Sequence, residues 1–130
     1  MKNSVKWVVG LGALLVLFFI GARMTGYSIF GSGNSNQYDA FAQCLTANNV
    51  KMYGAFWCSH CNNQKKEFGE SWKYVTYIEC STPDGRGQTP QCQTAGIQGY
   101  PTWEFGDGKR ISGELSFEEL ALRSQCSLSQ

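Results

Sequence analysis

The sequence has little of what a metal-binding domain needs. It contains one histidine, His60, and its six cysteines include a single closely spaced pair, Cys58 and Cys61. A structural zinc site takes four ligands, which usually come as two such pairs, but Cys80 and Cys92 stand twelve positions apart. We therefore predict no metal, and zinc remains an alternative that this spacing disfavours.

Charge is also scarce, since only 16% of the residues are charged. Three basic residues and no acidic ones precede Ser32, whereas the rest of the chain has eight Lys and Arg against ten Asp and Glu. Nucleic-acid binding depends on a basic surface that neutralises phosphates. The composition therefore argues against a nucleic-acid partner, while 42% hydrophobic residues are enough for a packed core.

Charge is absent altogether from residues 7–22, which Lys6 and Arg23 flank. A segment of about 17–20 apolar residues can span a bilayer as a helix. We predict that residues 1–25 are a transmembrane anchor with a cytoplasmic N-terminus, and that the Gly-, Ser- and Asn-rich residues 26–37 are a linker. A cleaved signal peptide, which would give a secreted protein, and a buried core helix are the alternatives. Both the anchor and the signal peptide deliver residues 38–130 outside the cytoplasm, where cysteine-dense small domains form disulfides.

Helical and strand patterns alternate over residues 38–130, without an internal repeat. The patterns predict helices over residues 38–48, 58–72, 91–95 and 117–124, and strands over residues 50–56, 74–79, 102–105 and 109–112. Ser116 and Glu119 fit a capping box at the last helix. The charged run at residues 65–67 is expected to be a solvated helix face. This order predicts an α/β fold with a central mixed sheet flanked by helices.

Cys58 and Cys61 directly follow a predicted strand and open a predicted helix. The free N–H groups and positive dipole end of a helix stabilise a thiolate, so Cys58 is expected to be the reactive sulfur. Cys61, one turn on, can attack a mixed disulfide at Cys58 and resolve it. His60 between them could stabilise the Cys58 thiolate and make the pair an oxidant. A purely structural Cys58–Cys61 disulfide and a solvated surface His60 are the alternatives.

Three segments resemble the thioredoxin-like superfamily: MYGAFWCSHC (Met52–Cys61), YIECSTPDGRGQTPQC (Tyr77–Cys92) and GYPTWEF (Gly99–Phe105). The similarity is greatest to the thioredoxin-like domain associated with bacterial vitamin K epoxide reductase homologues, and it covers about residues 38–126. It implies a thioredoxin fold and thiol–disulfide exchange without a cofactor.

The resemblance also implies roles for residues around the cysteine pair. Pro101 would be a cis-proline facing the cysteines, a rare and usually purposeful feature. The backbone of Tyr100 would pair with an incoming substrate chain, and Trp57 and Ser59 are predicted to contact that substrate as well. Four aromatic side chains of these segments are expected in the core or at the apolar rim of the site; they are Phe56, Trp57, Trp103 and Phe105.

Two departures from the family pattern bear on the direction of the reaction. Thioredoxin reductants carry a buried carboxylate six positions before the first cysteine, where this chain has Met52. DsbA-like oxidases carry Pro-His between the cysteines, where this chain has Ser59 and His60. The histidine matches and the proline does not, so the oxidising direction is favoured.

The resemblance further implies a disulfide between Cys80 and Cys92 that closes the loop between them. With these cysteines assigned, Cys44 and Cys126 are left to form a bond that holds the C-terminus. An alternative is that Cys80 and Cys92 relay electrons as a second redox pair.

The sequence therefore predicts a membrane-anchored, extracytoplasmic thiol–disulfide oxidoreductase that oxidises cysteine-containing protein substrates. A vitamin K epoxide reductase-like, quinone-linked membrane protein would act in trans as the partner that reoxidises it. The alternatives are the same chemistry in reverse, as a reductase or isomerase, and a non-catalytic binding module held together by disulfides.

Overall fold

A computed structural model describes residues 37–128 of the chain. The predicted transmembrane segment and nearly all of the predicted linker lie outside the described residues. Among residues 37–128, no helix is both long and apolar enough to cross a membrane.

The order of helices and strands matches the prediction, with one correction. The elements are α1 (Asp39–Ala47), β1 (Lys51–Gly54), α2 (Ser59–Phe68), a 3-10 helix (Gly69–Tyr74), β2 (Thr76–Glu79), α3 (Pro90–Thr94), β3 (Thr102–Glu104), β4 (Arg110–Ser112) and α4 (Phe117–Ser124). The prediction of one α-helix as far as residue 72 is wrong. Gly69 takes a φ of +54°, which glycine adopts readily, and the α-helical turns end there.

The four strands form one mixed sheet in the order β2-β1-β3-β4. Strands β1 and β2 are parallel, and β3 runs antiparallel to both β1 and β4. Met52 therefore lies between Tyr77 on one side and Trp103 on the other. A mixed four-stranded sheet with flanking helices is consistent with the predicted α/β thioredoxin-like fold.

The two faces of the sheet carry different cores. The larger core joins β1 and β3 to α1, α2 and α4, and its most buried side chains include Phe41, Met52, Phe68, Trp103 and Leu120. The smaller core lies on the other face, where Tyr53 packs with Cys80, Cys92 and Ile97. Because Met52 and Tyr53 are successive residues of β1, their side chains point to opposite faces.

The C-terminal helix is fixed at both ends. At its start, Ser116 accepts a hydrogen bond from the Glu119 N–H and the Glu119 carboxylate accepts one from the Ser116 N–H, which confirms the predicted capping box. Just past its end, Cys126 is bonded to Cys44 of α1, with 5.8 Å between their Cα atoms. The end of the domain is thus covalently held against its first helix.

Candidate active site

Cys58 is the N-cap residue of α2, and its sulfur accepts a hydrogen bond from the Cys61 N–H at 3.1 Å. The two residues form a disulfide with 5.3 Å between their Cα atoms. Cys58 is 7% exposed and Cys61 is fully buried. An attacking sulfur can therefore reach Cys58 and not Cys61, and the helix N-terminus is placed to stabilise a Cys58 thiolate once the bond opens.

The turn that carries the pair depends on Gly54, the last residue of β1. A Cβ atom at this position would lie 2.8 Å from Cε2 of Tyr77 and 3.1 Å from Sγ of Cys61. The absence of a side chain thus lets Cys61 pack against the sheet. Beyond it, the Cys58 N–H donates to the Ala55 carbonyl at 3.0 Å, which fixes the entry to the helix.

Gln64 holds α2 in place from within the core, where it is fully buried. Its amide oxygen accepts hydrogen bonds from Nε1 of Trp103 at 3.2 Å and from the Leu115 N–H at 2.9 Å. Its amide nitrogen donates to the Leu115 carbonyl at 3.0 Å and to Glu67 at 2.7 Å. The sequence analysis missed this residue, although a polar side chain between Cys61 and Phe68 on an apolar helix face was a readable signal.

His60 lies on the outer side of α2, with 69% of its side chain exposed. Its Nδ1 is 2.5 Å from a carboxylate oxygen of Glu114, and Asn63 donates to the same oxygen at 3.4 Å. His60 is therefore exposed, as the surface alternative expected, and it also has an acidic partner. Nothing in the sequence pointed to Glu114, which lies 54 positions away in the loop before α4.

The peptide bond between Tyr100 and Pro101 is cis. The Tyr100 ring meets the Trp57 ring edge-on, with 5.9 Å between ring centroids, so the proline segment lies beside the segment that leads into Cys58. Within residues 37–128, the backbone N–H and C=O of Tyr100 form no hydrogen bond. These groups are thus available to pair with another chain, as the resemblance implied.

The predicted substrate-contact residues lie on the surface around Cys58. Trp57 is 54% exposed and Ser59 is exposed at the first turn of α2, and Phe56, which was expected in the core or at the rim, is 50% exposed. Trp103 and Phe105, which could have lined the rim, are instead buried in the core. The exposed rim therefore comes from the residues next to the cysteine pair and from Tyr100.

The loop between Cys80 and Cys92 supports this rim. Ser81 accepts a hydrogen bond from Nε1 of Trp57 at 2.8 Å, and Gln88 donates to the Tyr100 hydroxyl at 2.8 Å. The loop thus fixes both aromatic rings. Its two cysteines form a disulfide and are fully buried, so the electron-relay alternative gains no support from their position.

All six cysteines are in disulfides. Among residues 37–128, no group of three or more His, Cys, Asp and Glu side chains is arranged to hold a metal ion. The chemistry that this site can perform with its own residues is thiol–disulfide exchange at Cys58.

The fold is thus consistent with a thioredoxin-like arrangement, and it places the Cys58–Cys61 disulfide at the start of a helix. In comparisons with known proteins, no family model matches the chain. The chain is 35% identical over 152 aligned positions to the thiol-disulfide oxidoreductase LTO1 of Arabidopsis thaliana, a match that includes 98% of this chain and 40% of that protein. The chain therefore spans less than half the length of this curated relative.

Proposed function

We propose that this protein is a membrane-anchored, extracytoplasmic thiol–disulfide oxidoreductase that forms disulfides in cysteine-containing proteins. The observation that carries the proposal is the arrangement of one disulfide. Its accessible sulfur, Cys58, caps α2 and receives the Cys61 N–H, while the Cys61 sulfur is buried behind it.

The reaction follows from that difference in access. A substrate thiolate attacks Sγ of Cys58, a substrate–Cys58 disulfide forms, and the Cys58–Cys61 bond breaks as Cys61 leaves with the electron pair. A second substrate thiolate then attacks the substrate sulfur of this mixed disulfide and displaces the Cys58 thiolate. Two electrons pass from the substrate dithiol to the cysteine pair, which takes up the protons needed to become two thiols.

The surroundings of Cys58 suit an extended, partly apolar substrate segment. The unpaired backbone groups of Tyr100 can bond to that segment as a short β-pairing. Phe56 and Trp57 offer exposed aromatic surface next to the cysteine pair, and the Trp57 ring contacts the Tyr100 ring. Ser59 adds an exposed hydroxyl at the start of the helix.

The oxidising direction is supported by two features. A helix start and His60 both favour the Cys58 thiolate, and a pair whose reduced form is stabilised is an oxidant. The position of the family carboxylate holds Met52, which is fully buried and cannot accept a proton. A vitamin K epoxide reductase-like membrane protein that passes electrons to a quinone would then restore the disulfide in trans, close to the predicted anchor.

The reduction potential of the Cys58–Cys61 couple tests the direction. Equilibration of the protein with glutathione buffers should give a potential well above the value of about −270 mV typical of thioredoxin. A potential at or below that value would refute the oxidising direction.

Trapping of substrates tests the activity itself. Cys61→Ala should accumulate mixed disulfides through Cys58 in cells that make the full chain, because the resolving sulfur is gone. The double variant Cys58→Ala/Cys61→Ala is the matched control and should accumulate none. If the single variant also accumulates none, the protein is a binding module with structural disulfides.

Recovery of the trapped species in carbonate-washed membranes would support the anchor, and recovery in the soluble fraction would favour a cleaved signal peptide.

A further inference from the structure

A cluster of ionisable side chains behind Cys61 has no role in the reaction as described so far. On β2, the Tyr77 hydroxyl donates to a carboxylate oxygen of Glu79 at 2.8 Å. The other oxygen of Glu79 accepts from the Ser81 N–H at 2.8 Å and the Phe56 N–H at 3.3 Å. The carboxylate is thus held at the edge of the sheet where the cysteine pair also lies.

The cluster faces the Cys61 sulfur. The Tyr77 hydroxyl lies 3.2 Å, and Sγ of Cys61 lies 3.1 Å, from the point that a Cβ on Gly54 would occupy. The two groups therefore lie around one small space, which is open because residue 54 has no side chain. The parallel register explains this, since Gly54 is the neighbour of Glu79 and Met52 is the neighbour of Tyr77.

The chemistry of Cys61 requires a proton acceptor. When Cys61 resolves a mixed disulfide it must attack as a thiolate, and when it is the leaving group it must regain a proton. Its sulfur is fully buried, so bulk water does not reach it. A buried thiol in apolar surroundings ionises poorly, and Met52 offers no carboxylate.

We infer that Tyr77 and Glu79 together take the proton from Cys61 and return it, an inference that rests on the proposed function. In the resolving step, the Cys61 proton passes to the Tyr77 hydroxyl while the tyrosine proton passes to Glu79. The Cys61 thiolate then attacks Sγ of Cys58, and the substrate thiolate leaves with the electron pair of the broken bond. Tyr77 ends unchanged, Glu79 ends protonated, and the reverse sequence protonates Cys61 when it leaves.

The other charged and ionisable groups around Tyr77 fit this role. Lys65 of α2 places its ammonium group 3.8 Å from the centroid of the Tyr77 ring, so the expectation of a fully solvated Lys65 is wrong. Burial lowers the pKa of Lys65, while the negative charge of Glu79 opposes that shift. Burial first, and then the bond to Glu79 and the charges of Glu79 and Tyr100, raise the pKa of Tyr77. Tyr77 therefore keeps its proton and can only exchange it.

Two substitutions in the full chain test the inference. Tyr77→Phe keeps the ring and removes the hydroxyl, and Glu79→Gln keeps a hydrogen-bond acceptor that cannot hold the proton. The matched control is Tyr53→Phe, which removes a buried tyrosine hydroxyl bonded to Glu104 at 3.3 Å on the opposite face of the sheet. Urea unfolding should show that all three variants fold.

The measured quantity is the rate at which glutathione is released from a Cys58–glutathione mixed disulfide. A rapid-quench method gives this rate at pH values between 5 and 9. Tyr77→Phe and Glu79→Gln should each slow release by about tenfold or more at neutral pH. The deficit should shrink as pH rises, because a lower proton activity favours the Cys61 thiolate even without a nearby acceptor. The reverse reaction, attack of glutathione on the Cys58–Cys61 disulfide, should slow by the same factor since it has the same transition state. Alkylation of reduced Cys58 should keep its wild-type rate.

The inference is overturned if either variant releases glutathione at the wild-type rate and pH profile, or if Tyr53→Phe slows release as much. It is also overturned if Cys58 alkylation slows in parallel, because the effect would then lie on the first sulfur. A wild-type protein that exchanges no disulfides at all would instead refute the proposed function, so the two failures are distinguishable.

Discussion

The Cys58–Cys61 and Cys80–Cys92 disulfides lie at the same end of the sheet but differ in their exposure and in their hydrogen-bonding surroundings. Cys58 follows β1 and Cys80 follows β2, its parallel neighbour, and the Cys80 N–H donates to the Gly54 carbonyl at 2.8 Å. Each is bonded to a cysteine in the next helix along the chain, Cys61 in α2 and Cys92 in α3. Two disulfides with the same strand-to-helix arrangement thus follow two adjacent strands.

The difference lies in what surrounds the sulfurs. Cys58 is itself the helix cap, so a backbone N–H points at its sulfur, and it is partly exposed. Cys80 and Cys92 are both fully buried, a loop of eleven residues separates them, and within residues 37–128 no backbone N–H donates to either sulfur. Under the proposed function, access and a helix start distinguish the disulfide that exchanges from the buried one that stabilises the fold.

The strongest test of this comparison removes the accessible sulfur. Cys58→Ser should reduce exchange with glutathione to the uncatalysed rate, because no other sulfur is both accessible and stabilised. Cys80→Ala/Cys92→Ala should keep most of the exchange rate. Stopped-flow measurement with a fluorescent disulfide substrate checks both, and substantial activity in Cys58→Ser would show that a sulfur other than Cys58 also exchanges.

The largest effect on stability should come from the third disulfide. The Cys44–Cys126 bond spans 82 positions, and closing a loop of that length stabilises by about 4.5 kcal/mol in the chain-entropy model. Cys44→Ala/Cys126→Ala should lower the free energy of unfolding by about that amount while the Cys58–Cys61 potential stays the same. Urea denaturation measures the first and glutathione equilibration the second.

The Cys80–Cys92 bond should have a smaller effect on stability. It spans 12 positions, which corresponds to about 3 kcal/mol in the same model. Cys80→Ala/Cys92→Ala should therefore lower the free energy of unfolding less than removal of Cys44–Cys126 does.

The loop between Cys80 and Cys92 also fixes Trp57 and Tyr100, so this variant should weaken binding of protein substrates more than reaction with glutathione. Equal losses for both substrates would contradict a positioning role for the loop.

The smallest predicted effect concerns the acidic partner of His60. The Glu114 carboxylate is bonded to His60 and adds negative charge near the cysteine pair, which disfavours a Cys58 thiolate, so it should make the pair less oxidising. Glu114→Gln is expected to raise the reduction potential by about 10–20 mV, the range of an exposed ion pair. Glu118→Gln, at an exposed position of α4, is the matched control and should leave the potential unchanged. A fall in potential for Glu114→Gln would reverse the assigned sign.

Much of the fold was predictable because its signals are local. The order of elements follows from alternating apolar periods, and the start of α4 follows from the capping box at Ser116. The end of α2 was missed because a glycine in a helical pattern reads as a small cost, and its positive φ is set by tertiary packing. The cysteine pair was predictable for the same reason, because the spacing of Cys58 and Cys61 after a predicted strand is a local signal of a redox pair.

The surroundings of the pair were not predictable in the same way. Glu114 reaches His60 only because the loop before α4 folds against α2. Tyr77 and Glu79 read as ordinary strand residues until the β1–β2 register places them beside Gly54. Gln64 likewise gains its role from Trp103 and Leu115, which are distant in sequence. Long-range pairing decides these contacts, and no short pattern encodes it.

Gln64 also bears on how a substrate must approach. Three of its four hydrogen bonds are buried and join α2 to Trp103 of β3 and to Leu115 in the segment before α4. Rotation of this helix would leave buried amide groups unpaired, at a cost of about 1–3 kcal/mol each. The substrate polypeptide, rather than α2, must therefore change conformation when it binds, and it loses conformational entropy in doing so. Unfolded substrate chains should react faster than folded ones that present the same thiol.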